Sequence, residues 1–367
     1  MIPIEPETTS HAVLLTGRQW IGLGLPVLAA ALLVPPLWER IETFEPGPDY
    51  RLPYALSNDY WLYGRWARKA EGIPIVGDSV VWGQYVTPAK TLSHFLNERA
   101  GGPRFANLGL DGAHPAALAG LLEHYGGGLS GRTVVLHANP LWLTSPRADL
   151  QEAGETRLNH PVLLPQFRPR IPACREAFSV RLGRVIERSL PIFGWMRHLQ
   201  AAYFGGQDLP SWTLDHPGEN PLGAITLRLP PPDDRLRHEP IPWAARGIAR
   251  QDYPWVDPDR SLQWASFRRV VDLLERRGSR LFVLVGPFNE HLLTEASLAR
   301  YRTVRQGIEA WLRQRKIPFE APPALPSGLY ADASHPLAAG YEALASRLAG
   351  HDFFRQEISP PGRANRP

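Results

Sequence analysis

Ile73-Pro74-Ile75-Val76-Gly77-Asp78-Ser79 is an apolar run that closes on a glycine, an aspartate and a serine, with Gly83 four residues beyond the serine. Such a run predicts a short buried strand, followed by a sharp turn that sets a small hydroxyl at the carboxyl end of a sheet. In open α/β sheets that edge is where ligands bind. The flanking glycines let the backbone bend tightly and let another group approach closely. Gly-Asp-Ser is also ordinary turn composition, so the tripeptide decides nothing until the rest of the chain is read.

Working outward, the same pattern recurs. Phe105-Ala106 leads into Asn107-Leu108-Gly109-Leu110-Asp111-Gly112, and Thr133-Val134-Val135-Leu136 leads into His137-Ala138-Asn139-Pro140. Strands are expected at 73–77, 104–108, 133–138 and 281–285. Between and after them the apolar spacing predicts helices at 88–100, 115–125, 262–277, 295–315 and 337–349. Strands alternating with helices argue an α/β domain on a parallel sheet. Near the end of this pattern stands Asp332-Ala333-Ser334-His335, directly before Pro336, a good first helical residue.

A serine in Gly-Asp-Ser, a glycine, an asparagine and an Asp-x-x-His pair, in this order, resemble the four blocks of the SGNH (GDSL-type) hydrolase superfamily. The resemblance implies a flavodoxin-like three-layer α/β/α fold and a catalytic set of Ser79, Asp332 and His335. A serine hydroxyl is a poor nucleophile until a base takes its proton, and an aspartate on the far ring nitrogen fixes the tautomer of that base. Donors aimed at the developing oxyanion supply much of the rate; by the same resemblance these are the Ser79 and Gly112 N–H groups and the Asn139 amide. The third block departs from the usual Gly-x-Asn-Asp, keeping the asparagine alone. Asp111-Gly112-Ala113-His114-Pro115 is a second Asp-x-x-His-Pro. The C-terminal pair is preferred because the superfamily takes its base from the last loop before the final helix.

Trp20 to Trp38 contains no charged residue and is rich in Leu, Ala and Val. As a helix it would reach about 28 Å, close to the thickness of a bilayer core, and tryptophans at both ends suit the two interfaces. Pro26, Pro35 and Pro36 weaken it, and a buried core helix or a signal peptide is the alternative. The expected organisation is a short tail (1–19), a transmembrane anchor (20–38), a linker (39–72), a catalytic domain from 73–140 and 260–350, an insertion (141–259) and a disordered tail (351–367). With the N-terminus cytoplasmic, the protein is a single-pass protein of the cytoplasmic membrane, its catalytic domain periplasmic or extracellular.

The insertion carries much proline and many aromatics, with one helical stretch at 176–203 interrupted by Pro191. It leaves the sheet directly after Asn139. It is a packed flap, a lid, or a subdomain that binds an acceptor through Trp142, Trp212 and Trp243.

Composition excludes other classes. A chain of 367 residues with 44% hydrophobic residues, 12 Trp and 13 Phe is globular. The net charge of +4 comes from scattered arginines, with only Lys69, Lys90 and Lys316 as lysines, so nucleic-acid binding has little support. The lone Cys174 reads as a packing residue. The histidines show no metal-ligand spacing, and neither a metal nor another cofactor is expected.

The expected function is a serine-dependent acyl-ester hydrolase working through an acyl-Ser79 intermediate. The alternatives are an O-acyltransferase that modifies an envelope polysaccharide or exopolysaccharide, and a non-catalytic envelope-assembly protein. An anchor combined with this superfamily resembles the SGNH partners of membrane-bound O-acyltransferases, which makes such an enzyme an expected partner alongside an acyl ester substrate.

Overall fold

The computed structural model describes residues 15–153, 158–229 and 235–358. In chain order the major elements are α1 (Gly17–Ile41), α2 (Tyr60–Lys69), β1 (Ile73–Gly77), α3 (Ser79–Trp82), α4 (Leu92–Ala100), β2 (Phe105–Gly109), α5 (Pro115–Tyr125) and β3 (Thr133–Ala138). Four helices follow within the insertion: α6 (Phe178–Ser189), α7 (Pro191–Tyr203), α8 (Leu209–Asp215) and α9 (Pro221–Ala224). The pattern resumes with α10 (Leu262–Arg276), β4 (Arg280–Val285), α11 (Glu295–Gln314), β5 (Phe319–Glu320), α12 (Ala338–Ala349) and α13 (Asp352–Ile358).

The strands form one five-stranded parallel sheet in the order β2-β1-β3-β4-β5. Successive side chains on a strand point to opposite faces, and the buried residues divide accordingly. Val134, Leu136, Leu281, Val283 and Val285 pack with α2, α5, α10 and α11. Ile73, Ile75, Val135, Phe282 and Leu284 pack on the other face with α4, α12 and α13. Strands buried on both faces read as continuous apolar runs rather than alternating ones, which is why each of the four expected strands was visible in the sequence. The two-residue β5 is too short to give that signal.

Two expected boundaries are corrected. The stretch 39–72 is not a linker: it contains α2, whose Leu62, Tyr63 and Trp66 are buried in the core. The stretch 351–367 begins with α13, whose Phe353 and Phe354 rings close over Phe282 at 4.8 and 4.9 Å. Residues 359–367 lie outside the described residues, as do 1–14 of the expected tail. The insertion packs on the domain, as in the flap reading, since Val162 and Leu163 belong to the main core.

α1 is longer than expected. It starts with a capping box made by Thr16 and Gln19 and runs through all three prolines. An 18-residue stretch of this 25-residue helix has a mean hydropathy of 1.9, which makes it long and apolar enough to cross a membrane. Only Pro35 is buried along it. At its foot Trp38 donates to the Glu42 carboxylate (3.0 Å), which also accepts from Tyr203 Oη (2.5 Å) and forms an ion pair with Arg65. His198 on α7 bridges Glu42 (2.8 Å) and Asp59 (2.6 Å). Burial alone would drive the proton off this ring, but the Asp59 and Glu42 carboxylates on either side raise His198 to about 9. Glu42 is held at about 2, since His198, Tyr203 and Trp38 overcome the cost of its burial.

Candidate active site

Parallel strands deliver their carboxyl ends to one edge of the sheet. The register pairs Gly77 at the end of β1 with Gly109 at the end of β2, and β3 lies on the other side of β1. The loops that carry Ser79, Gly112 and Asn139 therefore start side by side. The chain can turn after β1 because both strand-end glycines are bare. A Cβ on Gly109 would lie 2.2 Å from the Trp82 nitrogen, and one on Gly77 would lie 2.7 Å from the His137 Cβ. The single turn of α3 rests in that space, capped by Asp78, whose carboxylate accepts from the Val80 N–H at 3.0 Å.

Ser79 sits at the start of this turn and points to the loop before α12. Its Oγ lies 2.8 Å from His335 Nε2, across 256 residues of sequence. His335 Nδ1 faces both Asp332 oxygens at 2.8 Å. A proton on Nδ1 satisfies the carboxylate, which leaves Nε2 as the acceptor for the Ser79 hydroxyl. Asp332 also accepts the Ser334 and His335 N–H groups, each at 3.0 Å. Asn289, beyond β4, fixes this loop by donating its side-chain amide to the Asp332 carbonyl at 3.0 Å and its N–H to Ala333 at 2.8 Å.

The electrostatics follow from these contacts. Burial favours neutral His335, yet the adjoining Asp332 carboxylate, with Asp78 and Asp111 behind it, raises its pKa above the ordinary histidine value. Burial likewise opposes the charge on Asp332, but His335 and the two backbone donors hold it at about 2. The set is a base with a fixed tautomer, aimed at a hydroxyl, with a partner that stabilises its protonated form.

Asn139 ends β3, but its amide is only partly free. Nδ2 donates to Asp78 Oδ2 at 2.7 Å, and Oδ1 accepts the Leu141 N–H at 3.0 Å. The amide has a second N–H. Trp142 Nε1 also donates to Asp78 Oδ2 (3.0 Å), and His137 Nδ1 faces Oδ1 at 3.1 Å. Burial penalises the Asp78 charge; His137 and Asn139 outweigh it and hold the carboxyl at about 2. Asp78 thus ties the β1 and β3 loops together and fixes the turn that carries Ser79.

Gly112 has φ +71°, which suits a residue without a side chain. A Cβ there would lie 2.8 Å from Asn159 Nδ2, so an exposed amide from the insertion reaches the Gly112 loop. Next to it the buried His160 has φ +52°, an uncommon conformation that histidine adopts more readily than most residues. Its Nε2 faces the Asp111 carbonyl at 2.7 Å and its Nδ1 the Tyr60 hydroxyl at 3.0 Å.

The competing pair Asp111/His114 is not assembled on Ser79. His114 caps α5, its Nδ1 accepting from the Ala117 N–H at 3.3 Å, and burial lowers it to about 4. Of the three tryptophans, Trp212 is packed inside the insertion and is not a free sugar platform. Trp142 donates its indole N–H to Asp78 and Trp212 is buried between Phe204 and His216, while Trp243 is half-buried, its backbone N–H bonded to the Tyr330 carbonyl at 2.7 Å. Cys174 is a buried packing residue among Leu150, Leu164 and Ile171, its thiol pushed up to about 11 by burial and Glu176.

Sequence reasoning missed His137, Tyr85, Asn159, His160 and His238. Tyr85 packs against His335 (5.5 Å between centroids) and His238 (5.3 Å), and His238 Nε2 meets Gln84 Nε2 at 3.2 Å. The far end of the insertion therefore borders the site. Only His137 left a signal, as a titratable residue in an otherwise apolar strand. No protein-family model and no curated protein matches the chain in sequence.

Proposed function

We propose that the protein is a serine-dependent acyl-ester hydrolase of the SGNH type, acting through an acyl-Ser79 intermediate. The observation that carries this reading is the unbroken relay from Ser79 Oγ through His335 to Asp332, with 2.8 Å at each step. The strand order, with β1 between β2 and β3, is that of flavodoxin-like sheets, and it supports the superfamily resemblance.

In this reading His335 Nε2 takes the Ser79 proton as Oγ bonds to the ester carbonyl carbon. Negative charge moves to the carbonyl oxygen, where the Ser79 and Gly112 N–H groups and the second Asn139 N–H are the donors. The tetrahedral adduct collapses with loss of the alcohol, which takes the proton from Nε2. Water then enters with His335 again as base and releases the acid. The exposed Asn159 amide at the Gly112 loop contacts the bound ester. With α1 crossing the cytoplasmic membrane, this chemistry takes place on the periplasmic or extracellular side.

Transfer to a sugar hydroxyl in place of water is the second reading. It is favoured by the shielding of the reacting pair, since Ser79 and His335 are each only 6% exposed, and a membrane-bound O-acyltransferase would be its partner. Turnover of a small acetyl ester tests the common step: Ser79→Ala should lower kcat by about 10⁴-fold and Asn139→Ala by about 10²-fold. Full activity in Ser79→Ala would remove the proposal. Supplying an acceptor polysaccharide divides the two readings, because a transferase yields acylated glycan and a hydrolase yields only free acid.

A further inference from the structure

Helix α6 is an amphipathic helix turned outward. Phe178, Leu182 and Ile186 recur every four residues and Leu190 continues the stripe, at 69%, 41%, 42% and 43% exposure. None of its residues is buried. Its arginines instead hold it to the domain: Arg184 pairs with Glu176 at 2.8 Å, and Arg188 donates to the Val162 and Leu164 carbonyls at 3.2 and 2.7 Å. A helix on a water-soluble surface does the reverse, burying the apolar stripe and wetting the charges. An exposed apolar face of this kind marks a contact with something outside the chain.

Its neighbour identifies the occupant. Leu190, Pro191 and Gly194 share a groove with Leu32, Pro35 and Pro36 of α1, and Trp195 meets Trp38 edge-on at 5.5 Å. The apolar surface of α1 thus runs on, at its domain-side end, through Leu190 to the exposed Phe193 and Met196 of α7. At the other end of α6, the Phe178 ring meets Phe167 at 5.6 Å, flanked by exposed Arg168, Arg170 and Arg175. Among the described residues the acids nearby are already paired, Glu176 with Arg184 and Glu187 with Arg197. Exposed aromatics and aliphatics beside unmatched cations suit the headgroup–acyl boundary of a bilayer with anionic lipid.

We propose that the outward face of α6 and the α6–α7 turn seat in the surface of the same bilayer that α1 crosses. The domain then has two membrane contacts and a fixed orientation over the lipid. The inference rests on α1 crossing the membrane and is independent of the chemistry at Ser79.

The test uses the full chain with Cys174→Ser, in nanodiscs of phosphatidylethanolamine and phosphatidylglycerol that carry nitroxide-labelled lipid. Single cysteines bearing a fluorophore replace Leu28 in α1, Leu182 or Ile186 in α6, and the exposed Arg302 in α11. Lipid nitroxide should quench the 182 and 186 probes at least about threefold more than the 302 probe, as it quenches the probe at 28. Quenching at 28 with none at 182 and 186 overturns the proposal while leaving the anchor intact; it is the result for a face covered by a second protein. Quenching at none of these sites removes the membrane crossing and the proposal together.

Discussion

Replacing His198 with alanine removes the imidazole between Glu42 and Asp59, the contact that joins the foot of α1 to α2 and α7. The effect has a definite sign with pH. His198 is raised from 6.5 to about 9 in the fold, and at ~1.4 kcal/mol per pH unit this corresponds to about 3 kcal/mol of coupling. Below pH 6.5 the ring is protonated in the folded and unfolded chains alike, and the whole contribution is present. As pH rises, the unfolded chain loses its proton first, and the contribution is gone once pH has passed about 9. His198→Ala also leaves two buried carboxylates facing each other, so at pH 6 the variant should be less stable by roughly 3–5 kcal/mol. Urea unfolding in mild detergent, followed by tryptophan fluorescence at pH values from 6 to 9.5, measures the difference. The gap between wild type and His198→Ala should narrow by about 3 kcal/mol across that range. A gap of the same size at pH 6 and pH 9.5 would refute the reasoning.

Three further outcomes follow from the site. Because the base must be neutral and Asp332 raises the pKa of His335, the rising limb of the rate–pH profile should lie above 6.5 in wild type; Asp332→Asn should shift it down and cost about 10⁴-fold in kcat. A limb that Asp332→Asn does not move would count against the relay. Gly109→Ala places a methyl 2.2 Å from the Trp82 nitrogen, so unfolding should show a loss of at least about 2 kcal/mol, with lower ester turnover as α3 is displaced. Asn159→Ala should lower kcat/KM for an ester about 10-fold with an unchanged Tm, since its residue is exposed; an unchanged kcat/KM would leave Asn159 without a role.

The sheet was legible because its four longer strands are buried on both faces and stand out as apolar runs. The residues of the relay were legible because each follows a strand or precedes a helix, where chemistry and turn composition coincide. What was not legible depends on distant partners. Asp78 reads as a turn residue until His137, Asn139 and Trp142 arrive from the β3 side, and no local pattern announces that Asn159 will meet Gly112. α2 could have been found: Tyr63, Trp66, Ala67 and Ala70 fall at helical spacing. It was hidden because an apolar span before it and a strand after it made the stretch look like a connection. α13 was obscured in the same way, since two phenylalanines near a polar terminus give no period. Among the tryptophans of the insertion, Trp212 is internal, packed between Phe204 and His216, and no local pattern separates it from the half-buried Trp142 and Trp243.

Under the proposed function, Ser79 is the hydroxyl that His335 makes nucleophilic. Fluorophosphonate labelling tests it without knowledge of the natural ester, because the reagent phosphonylates a serine only when a base and oxyanion donors are in place. Wild-type protein in detergent should gain one adduct by intact mass, peptide mapping should locate it at Ser79, and Ser79→Ala and His335→Ala should gain none. An adduct on another residue, or equal labelling of Ser79→Ala, would contradict the account.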